Sequence, residues 1–144
     1  MIREAKQTDI PDLIPLAIEA LKSDSYPELK IDRNRVFTQV TNCVIPKANF
    51  AYVSEHEGKI VGAMGAIIAP HAFYEGSQAI VVMWYCKKHG DGMKMMKAFL
   101  NWLKDKKSVN HIEYSLPQSA SRNMVRQLHK LGFKTFTPAM SILR

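Results

Sequence analysis

The sequence predicts a mixed α/β fold, a mostly antiparallel sheet flanked by helices, and three observations carry that expectation. The apolar residues recur at helical spacing up to about residue 45 and alternate as in strands from Phe50 onward. The run Ala79 to Tyr85 (AIVVMWY) is apolar almost throughout, as a central strand covered on both faces requires. That run then passes through a short glycine loop straight into a helical pattern, so strands and helices alternate over the second half of the chain.

Taken in order, Ile2 to Ala5 reads as a short strand. Thr8-Asp9-Ile10-Pro11-Asp12 reads as a helix start with an Asp cap, an early proline and early negative charge. Ile10, Leu13, Ile14, Ala17 and Leu21 follow at helical spacing. The polar, proline-containing segment 23–31 is a loop, and Asp32 caps a second helix with Val36, Val40 and Val44 on one face and Pro46 past its end. Phe50 to Ser54 and Lys59 to Ala69 are strands joined at Glu55-His56-Glu57-Gly58, a hairpin signal. After the strand Ala79 to Tyr85 comes a helix with Met93, Met96, Leu100 and Leu103 as its buried stripe. Ile112 to Leu116 is a strand, and Ser119 to Leu131 a helix with Val125, Leu128 and Leu131 inward and Gly132 at its C-cap. Phe133 to Phe136 and Met140 to Leu143 are read as a closing hairpin. The expected order is β-α-α-β-β-β-α-β-α-β-β.

The bulk numbers bound the function. The chain has 144 residues, 47% hydrophobic and 23% charged, which fits one globular domain over residues 1–144. The longest apolar run, Ile60 to Ala69, is far short of the ~20 residues a membrane span needs. MIREAKQ lacks a signal-peptide core, and a reduced, cytoplasmic protein is expected. Cys43, Cys86 and five scattered histidines show no metal-ligand spacing, so no metal is expected.

The formal charge of +7 is unevenly placed. Residues 1–86 carry 8 Lys/Arg and 10 Asp/Glu, whereas residues 87–144 carry 12 Lys/Arg and 3 Asp/Glu. The sign changes at the loop Lys87-Lys88-His89-Gly90-Asp91-Gly92. An anionic partner for the basic half is one reading, and a solvated basic helix face is the other. Strand, glycine loop and helix N-terminus make a phosphate-binding device, because the first helical amides lack intrahelical partners and glycine lets an anion approach the backbone. A Walker loop (G-x-x-x-x-G-K-[ST]) is absent. A dinucleotide fingerprint (G-x-G-x-x-G) fails at Met95, and the order of elements is wrong for it.

The loop resembles motif A of the GNAT (GCN5-related N-acetyltransferase) family, Q/R-x-x-G-x-G/A, with Lys87 at the Q/R place and Gly90 and Gly92 at the glycines. The resemblance continues in MIREAKQTDIPDLIPLA, in HEGKIVGAMGAIIA with its G-x-x-V-G, and in LHKLGFK, similar to Y-x-K-L-G-F. It covers nearly the whole chain and implies a GNAT-like acyl-CoA N-acyltransferase fold that binds acetyl-CoA as co-substrate. It implies a pyrophosphate on the amides from Lys88 through Met93, reinforced by Lys87. The pantetheine arm would pair with the strand Met83, Trp84 and Tyr85, with Ser121 and Asn123 reaching the cofactor from the other side. The activity implied is direct transfer of an acetyl group to a primary amine of a small molecule or protein.

The chain departs from the family at the proton steps. Leu128 stands where a tyrosine often serves as general acid. Tyr85 and the neighbouring His129 are the remaining catalytic candidates, although Tyr85 also reads as core packing and His129 is rotated about 100° from Leu128. Cys86 beside Lys87 and Lys88 is a candidate nucleophile on charge alone. Tyr26 and Glu28, in the loop between the first two helices, are candidate acceptor contacts. Two other readings stay open: a catalytically silent acyl-CoA-binding module, and a basic nucleic-acid-binding protein, against which exposed aromatics among the basic residues are sparse. A homodimer through exposed strand edges is compatible with the sequence.

Overall fold

A computed structural model describes all residues except 24, 25, 89, 137 and 138. The chain runs β1 (Ile2–Glu4), a 3-10 turn (Gln7–Asp9), α1 (Ile10–Lys22), α2 (Arg33–Val44), β2 (Phe50–His56), β3 (Lys59–Pro70), β4 (Ser77–Cys86), α3 (Gly92–Leu103), β5 (Val109–Glu113) and α4 (Arg122–Lys130). The five strands form one sheet in the order β1-β2-β3-β4-β5. The first three pairings are antiparallel, and β4 and β5 are parallel, joined by the crossover through α3.

Period-two alternation divides the core between the faces of the sheet. Phe50, Met64, Ala79 and Val81 pack with Met95, Met96 and Phe99 of α3 and Leu128 of α4. Val53 and Ala63 turn the other way and pack with Leu13 and Leu16 of α1. Helices α1 and α2 therefore cover one face, and α3 and α4 the other. The turn between β2 and β3 is Glu57-Gly58, both at positive φ (51° and 74°), the conformation that matches the twist of a two-residue hairpin.

Local signals explain most boundaries. Asp32 caps α2 by accepting from the amides of Asn34 and Arg35 at 3.0 and 3.2 Å. Ser121 caps α4 by accepting from Met124 N–H at 3.1 Å. Gly132, at φ 102°, ends α4. Asp9 precedes α1 without capping it: its carboxylate takes the Lys6 amide at 2.7 Å and the Arg3 guanidinium at 2.8 and 2.9 Å.

Besides Asp9, which does not cap α1, and α4, which begins at Arg122 and not at Ser119, three further expectations are corrected. The buried stripe of α3 is Met95, Met96, Phe99 and Leu103, not Met93, Met96, Leu100 and Leu103, because the helix begins at Gly92 and turns Phe99 onto Phe50. Strand β5 occupies Val109–Glu113, earlier than Ile112 to Leu116, with Ser77 paired to Val109 and Ile80 to Glu113. The closing hairpin does not form among the described residues. Phe136, Met140 and Ile142 are exposed, and alternation there lacks the neighbouring strand that gives β-propensity its effect.

Candidate functional site

Strands β4 and β5 are paired from Ser77↔Val109 to Ile80↔Glu113, and then they part. Strand β4 continues to Cys86, so its stretch from Val81 onward faces a gap on that side. Alternate N–H and C=O groups of such a stretch point into the gap. The pairing with β3 skips from Met83↔Gly65 to Val81↔Ala66, which leaves Val82 as the extra residue of a β-bulge at the mouth of the gap. Bulges bend a strand and re-aim its groups, and they recur beside active sites.

The gap opens into two cavities of about 340 Å³ each that share Trp84, Tyr85, Tyr114, Pro117 and Ser119. One extends toward Leu21 and Ser23 at the end of α1. The other runs to Gly92 and Met93 at the start of α3 and to Ser121, Asn123 and Gln127 at the start of α4. Among the described residues no carboxylate lines either one, a favourable setting for an anionic ligand.

The glycine loop closes the second cavity. A Cβ on Gly90 would lie 2.7 Å from Cys86 Cβ, so glycine is needed there for the turn to pack on the strand. At Gly92 an added Cβ would meet only ordinary contacts, at 3.5 Å from Cys86 Sγ and from the Trp84 indole nitrogen. Gly92 opens α3, whose first intrahelical bond runs from Met95 N–H to Asp91 C=O at 3.1 Å. The amides of Gly92, Met93 and Lys94 are thus the first-turn donors that a helix leaves for a ligand. Trp84 braces this turn, its indole N–H donating to Gly92 C=O at 3.0 Å and its ring lying edge-on to Tyr114 at 5.5 Å.

Of the expected cradle, Lys88 through Met93, two amides already have partners within the chain. Gly90 N–H is donated to Lys87 C=O at 3.0 Å, and Asp91 N–H to the fully buried Ser54 hydroxyl at 3.1 Å. The Asp91 carboxylate is held below the usual carboxylate range by the Met1 ammonium at 2.9 Å and by Lys94 at 3.1 Å. Lys88 is exposed, and His89 lies outside the described residues. Lys87 is turned toward α1, where its ammonium bonds Glu19 at 2.9 Å.

Met83, Trp84, Tyr85, Gly92, Met93, Ser121 and Asn123 come together around the gap. Ser121 is also committed as the α4 cap. Burial, and after it the Glu19 carboxylate, push the Tyr85 hydroxyl above its ordinary value, so it stays protonated through neutral pH. His129 is exposed near the end of α4 and lines neither cavity, while Leu128 is buried; helical rotation places the imidazole outside the gap. Cys86 is wedged against Gly62 and Gly90, and desolvation pushes its thiol up to about 11, which removes the thiolate a nucleophile needs. Tyr26 and Glu28 are exposed, with the Tyr26 hydroxyl 3.3 Å from Ser141 Oγ.

Sequence reasoning missed Glu19, Tyr114, Ser119 and Gln127. Glu19 sits on what reads as the solvent side of α1, and only the fold brings it beside Tyr85 and Lys87. Tyr114 lies just past β5, where the strand signal hides it. Among the described residues no group of three or more His, Cys, Asp or Glu could hold a metal ion, and no helix is long and apolar enough to cross a membrane.

No family model matches the chain, and no curated protein does. Solved structures do. A predicted acetyltransferase with acetyl-CoA from Clostridium acetobutylicum superposes with a TM-score of 0.75 at 15% identity, covering 99% of this chain and 95% of that one. A ribosomal-protein-alanine N-acetyltransferase from Brucella melitensis biovar Abortus 2308 matches at TM-score 0.68 and 13% identity, over 100% and 97% of the two chains. An aminoglycoside acetyltransferase from an uncultured soil metagenomic sample, in complex with sisomicin, matches at 0.65 and 16%, over 100% and 96%. The chain has the fold of the GNAT acetyltransferases.

Proposed function

We propose that this chain is a cytoplasmic N-acetyltransferase that moves the acetyl group of acetyl-CoA directly onto a primary amine. The observation that carries the reading is the parting of β4 from β5 beyond Ile80 and Glu113, with the gap ending on the first turn of α3. The exposed edge of β4 fits an extended, amide-bearing arm, and the amides of Gly92, Met93 and Lys94 fit a pyrophosphate. Each charge-assisted bond of that kind is worth roughly 1.5–3 kcal/mol.

Acetyl-CoA supplies a thioester carbonyl open to attack by an amine. The ammonium first gives one proton to solvent, and the neutral amine attacks. The C–N bond forms as the C–S bond breaks, the sulfur takes up a proton, and the nitrogen's second proton replaces the one given to sulfur. Three contributions fall to this chain. The β4 edge holds the acetyl group in line with the amine, which supplies much of the rate gain in a two-substrate transfer. A backbone N–H beside the Val82 bulge stabilises the developing oxyanion. The Tyr85 hydroxyl, kept protonated by its surroundings, donates to the departing sulfur. The test is thiol release from acetyl-CoA on addition of amines, with Tyr85→Phe lowering kcat about a hundredfold at unchanged acetyl-CoA affinity, the low end of the range for a positioned acid.

A second reading, an acyl-CoA-binding module without turnover, is favoured by one observation: Leu128 is buried where a family tyrosine would serve, and His129 does not replace it. Binding without thiol release for any amine selects it. The nucleic-acid reading gains nothing from Trp102, the aromatic of α3, which packs on Phe50 at 5.4 Å and is covered by Lys106 at 4.0 Å.

A further inference from the structure

Between the α1–α2 layer and the sheet lies a third cavity, of about 440 Å³. Its size has a plain origin in the sequence: Ala5, Ala17, Ala51, Ala63 and Gly65 line it, small residues where a packed core would carry branched ones. Interiors seldom leave voids larger than a water molecule, and this one falls in the ~300–1,000 Å³ range of ligand pockets. Its inner end meets the cleft described above, since Leu21, Val82 and Met83 line both. The cavity therefore ends at the bulge beside which the amine must attack.

Its charges are informative. Lys30, Asp32 and Arg35 stand among the lining residues, and among the described residues Asp32 is the single carboxylate lining any of the three cavities. Asp32 is already committed, capping α2 through two amides and lying 3.6 Å from the Arg35 guanidinium. Among the described residues, a polycation entering here would meet apolar walls, two cations and no uncommitted carboxylate.

We infer that this cavity seats the body of the acceptor, an arylalkyl or branched alkyl primary amine, with its nitrogen at Val82 and Met83 and a neutral or anionic far end toward Lys30 and Arg35. The inference rests on the transferase reading and narrows it, setting this site apart from one built for an aminoglycoside or polyamine. The transfer is the one already written: the ammonium gives one proton to solvent, C–N forms as C–S breaks, and the nitrogen's second proton makes good the one delivered to the departing sulfur.

The experiment is calorimetric titration of 4-phenylbutylamine, with spermidine and kanamycin as polycations, into the full chain with and without CoA, followed by thiol release with acetyl-CoA. The variant Val40→Phe fills the cavity from half-buried α2, and Ala63→Leu fills it from the sheet should the first fail to fold. The expected result is a kcat/KM for 4-phenylbutylamine at least tenfold above either polycation, with amine affinity falling at least tenfold in the filled variant while acetyl-CoA affinity stays within twofold. Preference for a polycation, or amine binding indifferent to the filled cavity, overturns the inference. Amine binding lost on filling, in a protein that does not bind acetyl-CoA, overturns the transferase reading and leaves the cavity an amine site.

Discussion

The ammonium of Lys87 lies 2.9 Å from the Glu19 carboxylate, so the first cation of the glycine loop is bonded to α1 rather than directed along α3. Both side chains are nearly half exposed, and a pair of that kind contributes little stability. Its consequence is for the site. Glu19→Gln releases Lys87 to an anionic ligand and is expected to tighten acetyl-CoA binding about two- to fivefold, more at low salt. The same change removes a negative charge beside Tyr85, so the alkaline limb of kcat/KM moves to lower pH while the shift due to burial remains. Titration at two salt concentrations and a pH–rate profile check both.

Trp84 links the β4 edge to the start of α3 through its bond to Gly92 C=O. Trp84→Phe keeps an aromatic ring against Tyr114 and deletes the donor. The expected loss is about 1 kcal/mol of stability, as for an ordinary hydrogen bond, and a three- to tenfold weaker acetyl-CoA affinity as the first turn loosens. Urea unfolding and calorimetry separate the two effects.

Both cysteines are expected to react slowly in the folded state. Burial pushes the Cys43 thiol and the Cys86 thiol up to about 11. At pH 7.5 roughly one thiol in several thousand is then ionised, and the thiolate is the reacting form. An aromatic disulfide reagent is expected to label neither within minutes in buffer and both within seconds in urea. Rapid native labelling at Cys86 would restore it as a candidate nucleophile.

Acid stability is expected to depend on the N-terminal ion cluster. Arg3 bonds Asp9 at 2.8 Å and Glu55 at 2.6 Å, all three largely shielded. Arg3 holds the Asp9 carboxyl below the ordinary value of about 4. A lowered carboxylate contributes stability that is fully present above its unfolded value and is lost as pH falls through its folded value. Arg3→Met is expected to cost about 2–4 kcal/mol at pH 7, having left two carboxylates without their partner, and to flatten the fall in stability below pH 4. Denaturant midpoints at pH 7, 4 and 3 measure it.

Much of the fold was legible because it rests on local chemistry. Asp32 and Gly132 mark helix ends wherever they are placed, and the apolar run before Cys86 allows a central strand and little else; the cap Ser121 was passed over for Ser119. The α3 stripe was displaced because Met and Leu occur on several sides of that helix, and only contact with Phe50 selects one. The closing hairpin failed because alternation in residues 133–143 does not reveal whether a strand lies alongside to receive it. In the site, glycines and strand could be read from spacing. The Lys87–Glu19 pair and the cavity floored by Ala51, Ala63 and Gly65 could not, since they join residues tens of positions apart.

The central claim is that the gap beside β4 and the first turn of α3 hold acetyl-CoA. Its most direct test is calorimetric titration of acetyl-CoA into the wild type and into Gly92→Asp. An added Cβ at Gly92 meets only ordinary contacts, so the variant is expected to fold, while its carboxylate stands where the pyrophosphate would lie. The account predicts micromolar binding by the wild type and at least a thirtyfold loss in the variant, about 2 kcal/mol. Absence of binding by the wild type, or equal binding by both proteins, would contradict it.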